Sequence, residues 1–284
     1  PMEKSAALSL FAGWKGMPAL YSGTDEKTLA EIREFGYTGV DLFVDDPFLP
    51  ENRAALGKLR KHGLGIGAVM PALLAKQGLS LGDKDPEMRK YAVERIGDMI
   101  RFASEASGMV SLGLVRGRAG AGAGREEFFK RLAGSFEELL KISLPLEVPL
   151  ILEPINRYES DHLNSSMEAL DFIEKSGLPL YLMLDTFHMN IEDVDLAECF
   201  RRCAPYTKHI HFVDSNRLAP GMGHLNMAEL YRTLEKLDYS GYLCLEALPL
   251  PSGSECARMG AKFFGSQESS SCKTNKLFVP YGSV

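Results

Sequence analysis

YLMLDTFHMN, residues 181–190, is a short apolar run that ends on an aspartate and carries a histidine three residues later. Side chains alternate along a strand, so Tyr181, Met183 and Asp185 share one face and Leu182 and Leu184 the other. His188 stands where the backbone turns towards a helix. Three further strand-like runs offer a metal-competent side chain: PLILE ends at Glu153, KHIHFVD carries His211 and GYLCLE ends at Glu246. Going from Glu153 to Asp185, His211 and Glu246, the intervals are 32, 26 and 35 residues, each about one strand–helix unit. The four groups therefore recur at equivalent heights on neighbouring strands, as a divalent-metal site requires.

Working outward, the same rhythm fills the chain. Strands are expected at Ala7–Gly13, GVDLFVD, LGIGAVM, MVSLGLV, PLILE, LYLMLD, KHIHFVD and GYLCLE, with amphipathic helices between them. Asp85 followed by Pro86 is a strong helix start. Strands alternating with helices imply a parallel sheet, and eight such units favour closure into a (β/α)8 TIM barrel. A doubly wound open sheet is the alternative, but no GxGxxG follows the first strand. The chain is read as one barrel domain over residues 1–265. Residues 266–284, SQESSSCKTNK and then LFVPYGSV, differ in character and are expected to be a poorly ordered extension. The stretch Pro71–Lys84 is long for a strand–helix connection and is a candidate lid.

Composition sets limits on function. Of 284 residues, 45% are hydrophobic and 25% charged, an ordinary globular balance. A net charge of −6 gives no general electrostatic reason to bind nucleic acid or an anionic membrane. There is no run long enough to cross a bilayer and no signal-peptide pattern. Five cysteines without CxxC spacing suit a reducing cytoplasm, each as a small buried hydrophobe.

In a barrel, the C-terminal ends of the strands surround one mouth, where barrel active sites lie. Carboxylate oxygens with a single imidazole suit Mn²⁺, Mg²⁺ or Co²⁺, and zinc is tolerated. His209 and His211 point to the same face, so either could be the ligand; His211 lies nearer the mouth and is chosen. His209 is then a packed neighbour or a support for the ligand. His188 could contact substrate or a second metal. His62 precedes Gly63 at a helix C-terminus, where the dipole favours a cation. His162 and His224 are left open. Arg116 and Arg118 lie in the glycine-rich RGRAGAGAG, which could cradle a phosphate but is more commonly a solvated loop.

LEPINRYE, MLDTFHMN, HIHFVDSNRLAPGMGH and GYLCLE resemble the motifs of the xylose-isomerase-like barrel superfamily, with closest similarity to the ketose 3-epimerases of the D-tagatose and D-psicose group. The resemblance covers residues 7–264 and is strongest over 150–250. It implies that Glu153, Asp185, His211 and Glu246 hold one divalent metal, Mn²⁺ first among the choices. By the same resemblance Glu153 and Glu246 are the acid–base pair, His188 and Arg217 contact the substrate's carbonyl region, and Glu159 orients that contact. The implied reaction inverts C3 of a ketose: one carboxylate removes a proton, the metal stabilises the enediolate, and a proton returns on the other face. A dimer or tetramer acting on a small sugar is implied too. Aldose–ketose, hydroxypyruvate or sugar-phosphate isomerases are the nearest rivals, sharing metal and enediolate. An endonuclease IV-like repair enzyme needs further metal ligands, but the ends of strands three and four offer only Val69, Met70, Leu114 and Val115. A non-catalytic sugar-binding barrel would leave the carboxylates idle.

Overall fold

The structure, a computed structural model, describes residues 2–122 and 124–275, with side chains as far as residue 270. Its strands, all parallel among the described residues, are β1 (Glu3–Ser9), the two-residue β2 (Tyr21–Ser22), β3 (Gly39–Phe43), β4 (Gly65–Met70), β5 (Met109–Leu112), β6 (Leu150–Leu152), β7 (Tyr181–Asp185), β8 (Thr207–His211) and β9 (Tyr242–Leu245). Each of β3 to β8 pairs with the next, and β1 pairs with both β3 and β9. The ladder Ser5 to Cys244 thus closes an eight-stranded barrel, and β2 pairs with Leu8 and Ser9 of β1 beyond the Glu3–Ala6 stretch that pairs with β9. This is the expected (β/α)8 architecture in one domain.

Helices begin where the sequence provides caps. Asp25 accepts from the Thr28 N–H, Asp85 from Glu87, and Ser165 forms a capping box with Glu168. Each such cap contributes about 1 kcal/mol. Gly177 then ends the Ser166–Ser176 helix in the left-handed region at φ 65°, which glycine adopts without steric cost.

Alternation divides the core into two layers. Met183, Ala7, Phe43, Met70, Ile151 and Cys244 fill the lumen of the barrel. Leu182 and Leu184 face outward with Val40, Leu42, Val69 and Ile210, against helix residues such as Ile96, Phe136 and Leu139. Burying each of these large side chains is worth about 1.5–3 kcal/mol, so a one-residue slip of any strand would cost several such contacts.

One local expectation needs correction. The first strand lies at Glu3–Ser9, upstream of the expected Ala7–Gly13. Ser9 Oγ donates to Phe11 O at 2.7 Å, and this local bond turns the chain out of the ladder. The released Phe11 and Trp14 stack on each other at 6.0 Å. Pro71–Lys84, the candidate lid, borders the cavity of Glu153 and Glu246 and is packed against the barrel. It contains the helix Ala72–Lys76, buries Leu74, Leu79 and Leu81, and bonds Leu81 N to Val115 O at 2.9 Å.

The last helix, Gly253–Asn275, takes in the first ten residues of the expected extension; 276–284 lie outside the described residues. Cys199, Cys203, Cys244 and Cys256 are buried, as expected, while the Cys272 side chain lies outside the described ones. No helix among the described residues is long and apolar enough to cross a membrane.

Candidate active site

Asp185 ends β7 and His211 ends β8, opposite each other in register. Glu153 and Glu246 each follow the last residue of their strands, β6 and β9. Their donor atoms all lie within 4.8 Å of one another, and all four residues are buried. Asp185 divides its carboxylate between two tasks. Oδ1 accepts from the Phe187 N–H at 2.8 Å and caps the helix Thr186–Glu192, which leaves Oδ2 for the centre of the mouth. Thr186 Oγ1 donates to Val213 O at 2.5 Å, tying this turn to the chain beyond β8.

These residues fit a divalent cation on two grounds. Asp185 Oδ2 and His211 Nδ1 are both fully buried with no hydrogen-bond partner among the described residues, a costly condition unless another group satisfies them. Both face the same point: His211 Nδ1 is 3.4 Å from Glu246 Oε2, 3.6 Å from Asp185 Oδ2 and 3.8 Å from Glu153 Oε1. Such spacings match donors about 2.1 Å from a shared ion. Electrostatics agrees. Burial and the Glu246 charge push the Glu153 carboxyl up to about 8. Burial opposes a charged His211, yet Glu246, Asp185 and Asp41 hold it well above the ordinary histidine range. Protonation thus relieves the crowding of three carboxylates here, and a dication would relieve it in the same way.

His188 lies in the first turn of the helix after Asp185, buried, with Nε2 3.7 Å from both Glu153 Oε1 and Asp185 Oδ2. Its other nitrogen receives the Asn156 main-chain N–H at 3.3 Å and the Asn156 side-chain amide at 2.8 Å. A main-chain N–H can only donate, so Nδ1 carries a lone pair and the proton sits on Nε2. Burial and the neighbouring Arg217 also lower its pKa. His188 is a neutral donor aimed into the mouth. Asn156 was missed by sequence reasoning. It sits inside the quoted LEPINRYE motif, but nothing in a sequence tells which motif residue will face the histidine. The Asn156 amide also donates to Glu159 Oε2 at 2.8 Å, so Glu159 reaches His188 chiefly through Asn156.

Arg217 lies in a turn at φ 58°, a left-handed conformation uncommon for a residue with a side chain. Asp214 organises that turn, accepting from the main chain of Ser215, Gly221 and Leu225. The guanidinium lies over the Phe187 ring and donates to Glu246 Oε2 at 2.6 Å. Burial works against an ionised Glu246, but His211 and Arg217 keep its pKa below the usual range.

Glu153, Glu159, His188, Arg217 and Glu246 line a cavity of about 350 Å³, walled by Trp14, Phe43, Met70 and Ile155. A larger cavity, about 630 Å³, opens among strand beginnings such as Tyr181, Thr207 and Tyr242. Barrel chemistry belongs to the C-terminal face, and none of the four clustered residues lines that second cavity. The Arg116 cradle is not formed. Arg116 is buried, donating to Leu112 O at 2.7 Å and Glu153 O at 2.6 Å, so it supports the site from behind. His209 is buried below His211, His62 pairs with Glu26, and His224 contacts Ser215.

Comparison with known proteins follows the same lines. A D-psicose 3-epimerase from Enterocloster bolteae is 37% identical over 125 residues, a match spanning 44% of this chain and 42% of that protein. An L-ribulose 3-epimerase from Mesorhizobium japonicum is 29% identical over 227 residues, spanning 78% and 75%. The solved structure of an L-ribulose 3-epimerase superposes with a TM-score of 0.82 at 22% identity, covering all of both chains. The family model described as xylose isomerase-like TIM barrel matches residues 29–263, and the chain belongs to that family.

Proposed function

We propose that this protein is a metal-dependent ketose 3-epimerase. The observation that carries the reading is the pair Glu153 and Glu246. Both are buried, both line one cavity, and they follow strands set three apart around the barrel. Two carboxylates placed about one substrate can take a proton from one face of a carbon and return one to the other.

Glu153, Asp185, His211 and Glu246 would hold the ion, with Mn²⁺ the first choice among hard divalent cations. When bound, it supplies Lewis-acid polarisation of the ketone and its neighbouring oxygen. The remaining work falls to the chain. One glutamate accepts the C3 proton while the electron pair of that C–H bond forms the C2–C3 double bond of an enediolate. The other glutamate delivers a proton to C3 from the opposite face, and the ketone reforms. His188 donates from Nε2 to the developing oxyanion, and Arg217 adds a fixed positive charge beside it. Glu159 and Asn156 hold those two donors in place. Trp14, Phe43 and Met70 close the apolar side and exclude water.

The relatives' names support this choice over an aldose–ketose isomerase. Incubating Mn²⁺-loaded protein with free ketopentoses and ketohexoses tests it. A C3 epimer should form, and chelation should stop the reaction. Conversion only to an aldose would reassign the enzyme.

A further inference from the structure

Below the four clustered residues lies a second buried polar layer, made of Ser5 from β1, Asp41 from β3, His209 from β8 and Cys244 from β9. Asp41 reaches across the lumen, since β3 and β8 are separated in the ladder by β1 and β9. Its Oδ2 contacts His209 Nε2 at 2.6 Å and His211 Nε2 at 3.1 Å, while Oδ1 accepts from Ser5 Oγ at 3.1 Å. One carboxylate oxygen thus receives a proton from each of two imidazoles. For His211 this keeps a proton on Nε2 and turns Nδ1 towards Glu153, Asp185 and Glu246, where it can serve as a ligand once its own proton leaves.

The wall behind this layer is shaped to hold it. The pairing of β3 with β4 shifts register between Val40 and Leu42, so β4 takes one extra residue opposite Asp41. Gly67 lies at that irregularity, and a Cβ there would stand 2.5 Å from Asp41 Oδ1 and 2.8 Å from His209 Cε1. A side chain at Gly67 would displace the carboxylate. The bulge and the glycine together leave space for Asp41 to lie flat beneath the two histidines.

Asp41, His209, His211 and Cys244 could also be read as a second metal site, since their donor atoms lie within 4.8 Å of one another. The 2.6 Å contact argues against that. It is a charge-assisted hydrogen-bond length, shorter than the separation of two donors about 2 Å from a common ion. We infer that Asp41 is a positioning residue: it orders His211, through a hydrogen bond shared with His209, as a preformed ligand for the ion at the barrel mouth. The inference rests on the proposed metal centre. It adds that β1, β3 and β4, which supply none of the four ligands, govern how tightly the centre binds. Supports of this kind typically change metal affinity 10- to 100-fold.

Mn²⁺ titration calorimetry on the wild type, Asp41→Asn and Ser5→Ala, with ¹⁵N-histidine NMR of each loaded with diamagnetic Zn²⁺, tests it. Wild-type protein should bind one equivalent and show His211 protonated at Nε2. Asp41→Asn should bind Mn²⁺ 10- to 100-fold more weakly and show a weakened or mixed His211 tautomer. Ser5→Ala, a milder change that keeps the carboxylate, should lie between them. Unchanged affinity and tautomer in a folded Asp41→Asn would overturn the inference and leave the metal centre standing. Two equivalents in the wild type would overturn it as well, placing an ion where the hydrogen bond is drawn. No binding by the wild type would remove the metal centre itself, and the positioning role with it.

Discussion

Arg217 donates from Nη2 to Oε2 of Glu246 over 2.6 Å, while His188, a neutral donor, stands 3.7 Å from Glu153. The two carboxylates of the proposed acid–base pair are therefore supported unequally. Arg217→Ala should lower kcat/KM by about 10²–10³, the usual effect of losing one preorganised charge beside a developing oxyanion. It should still bind one equivalent of Mn²⁺, because the guanidinium is not a ligand. Activity assays and metal analysis on the same preparation check both halves. Loss of the metal would show that Arg217 holds the ligand set together.

Glu153→Gln and Glu246→Gln should each reduce turnover at least about 10³-fold, since each removes a proton carrier and a metal donor at once. Circular dichroism and thermal melts should show that both variants fold. A glutamine that retained a tenth of the activity would remove that residue from the acid–base pair.

His162 gives a pH dependence that is separate from catalysis. It is buried, with Nδ1 3.0 Å from Asp161 Oδ1 and Nε2 receiving the Arg116 Nε–H at 3.4 Å. Burial and the Arg116 charge push its pKa down to about 4. An unfolded histidine titrates near 6.5, so above that pH both states are neutral and His162 contributes no slope. As pH falls from 6.5 towards 4 the unfolded chain takes the proton first, and stability falls. The loss attributable to His162 at pH 5 should be about 2 kcal/mol. Urea unfolding at pH 7.5 and pH 5 should show this loss in the wild type and a smaller one in His162→Gln. Equal losses would place the acid sensitivity elsewhere.

Arg116→Met should destabilise the fold by about 3 kcal/mol, because the carbonyls of Leu112 and Glu153 lose charged donors and stay buried. Arg116→Lys keeps the charge but not the fork, so it should recover only part of that loss. Denaturant midpoints measure both. A neutral Arg116→Met would mean that water replaces the guanidinium.

The barrel was legible because its signals are periodic. Leu182 and Leu184 against Met183 and Asp185, repeated at unit spacing from Glu153 to Glu246, allow few other closures. The cluster of Glu153, Asp185, His211 and Glu246 was legible for the same reason, since strand ends lie at one level. Contacts between strands distant in the ladder were not legible. Asp41 sits in GVDLFVD as an acid in an apolar run, and only closure of the barrel brings it under His211. Arg116 looked like a loop cation because glycines follow it, yet the short turn Leu114–Arg116 directs it inward. Ser9 ended the first strand early through a side-chain bond that apolar pattern does not register.

The central claim is that proton transfer occurs at C3. An aldose–ketose isomerase with the same ligands would work between C1 and C2 and leave C3 untouched. Turnover of a ketose in D₂O by the Mn²⁺-loaded protein, read by NMR, measures this directly. Deuterium at C3 of both substrate and product is the expected result. Deuterium confined to C1 or C2, with an aldose accumulating, would contradict it.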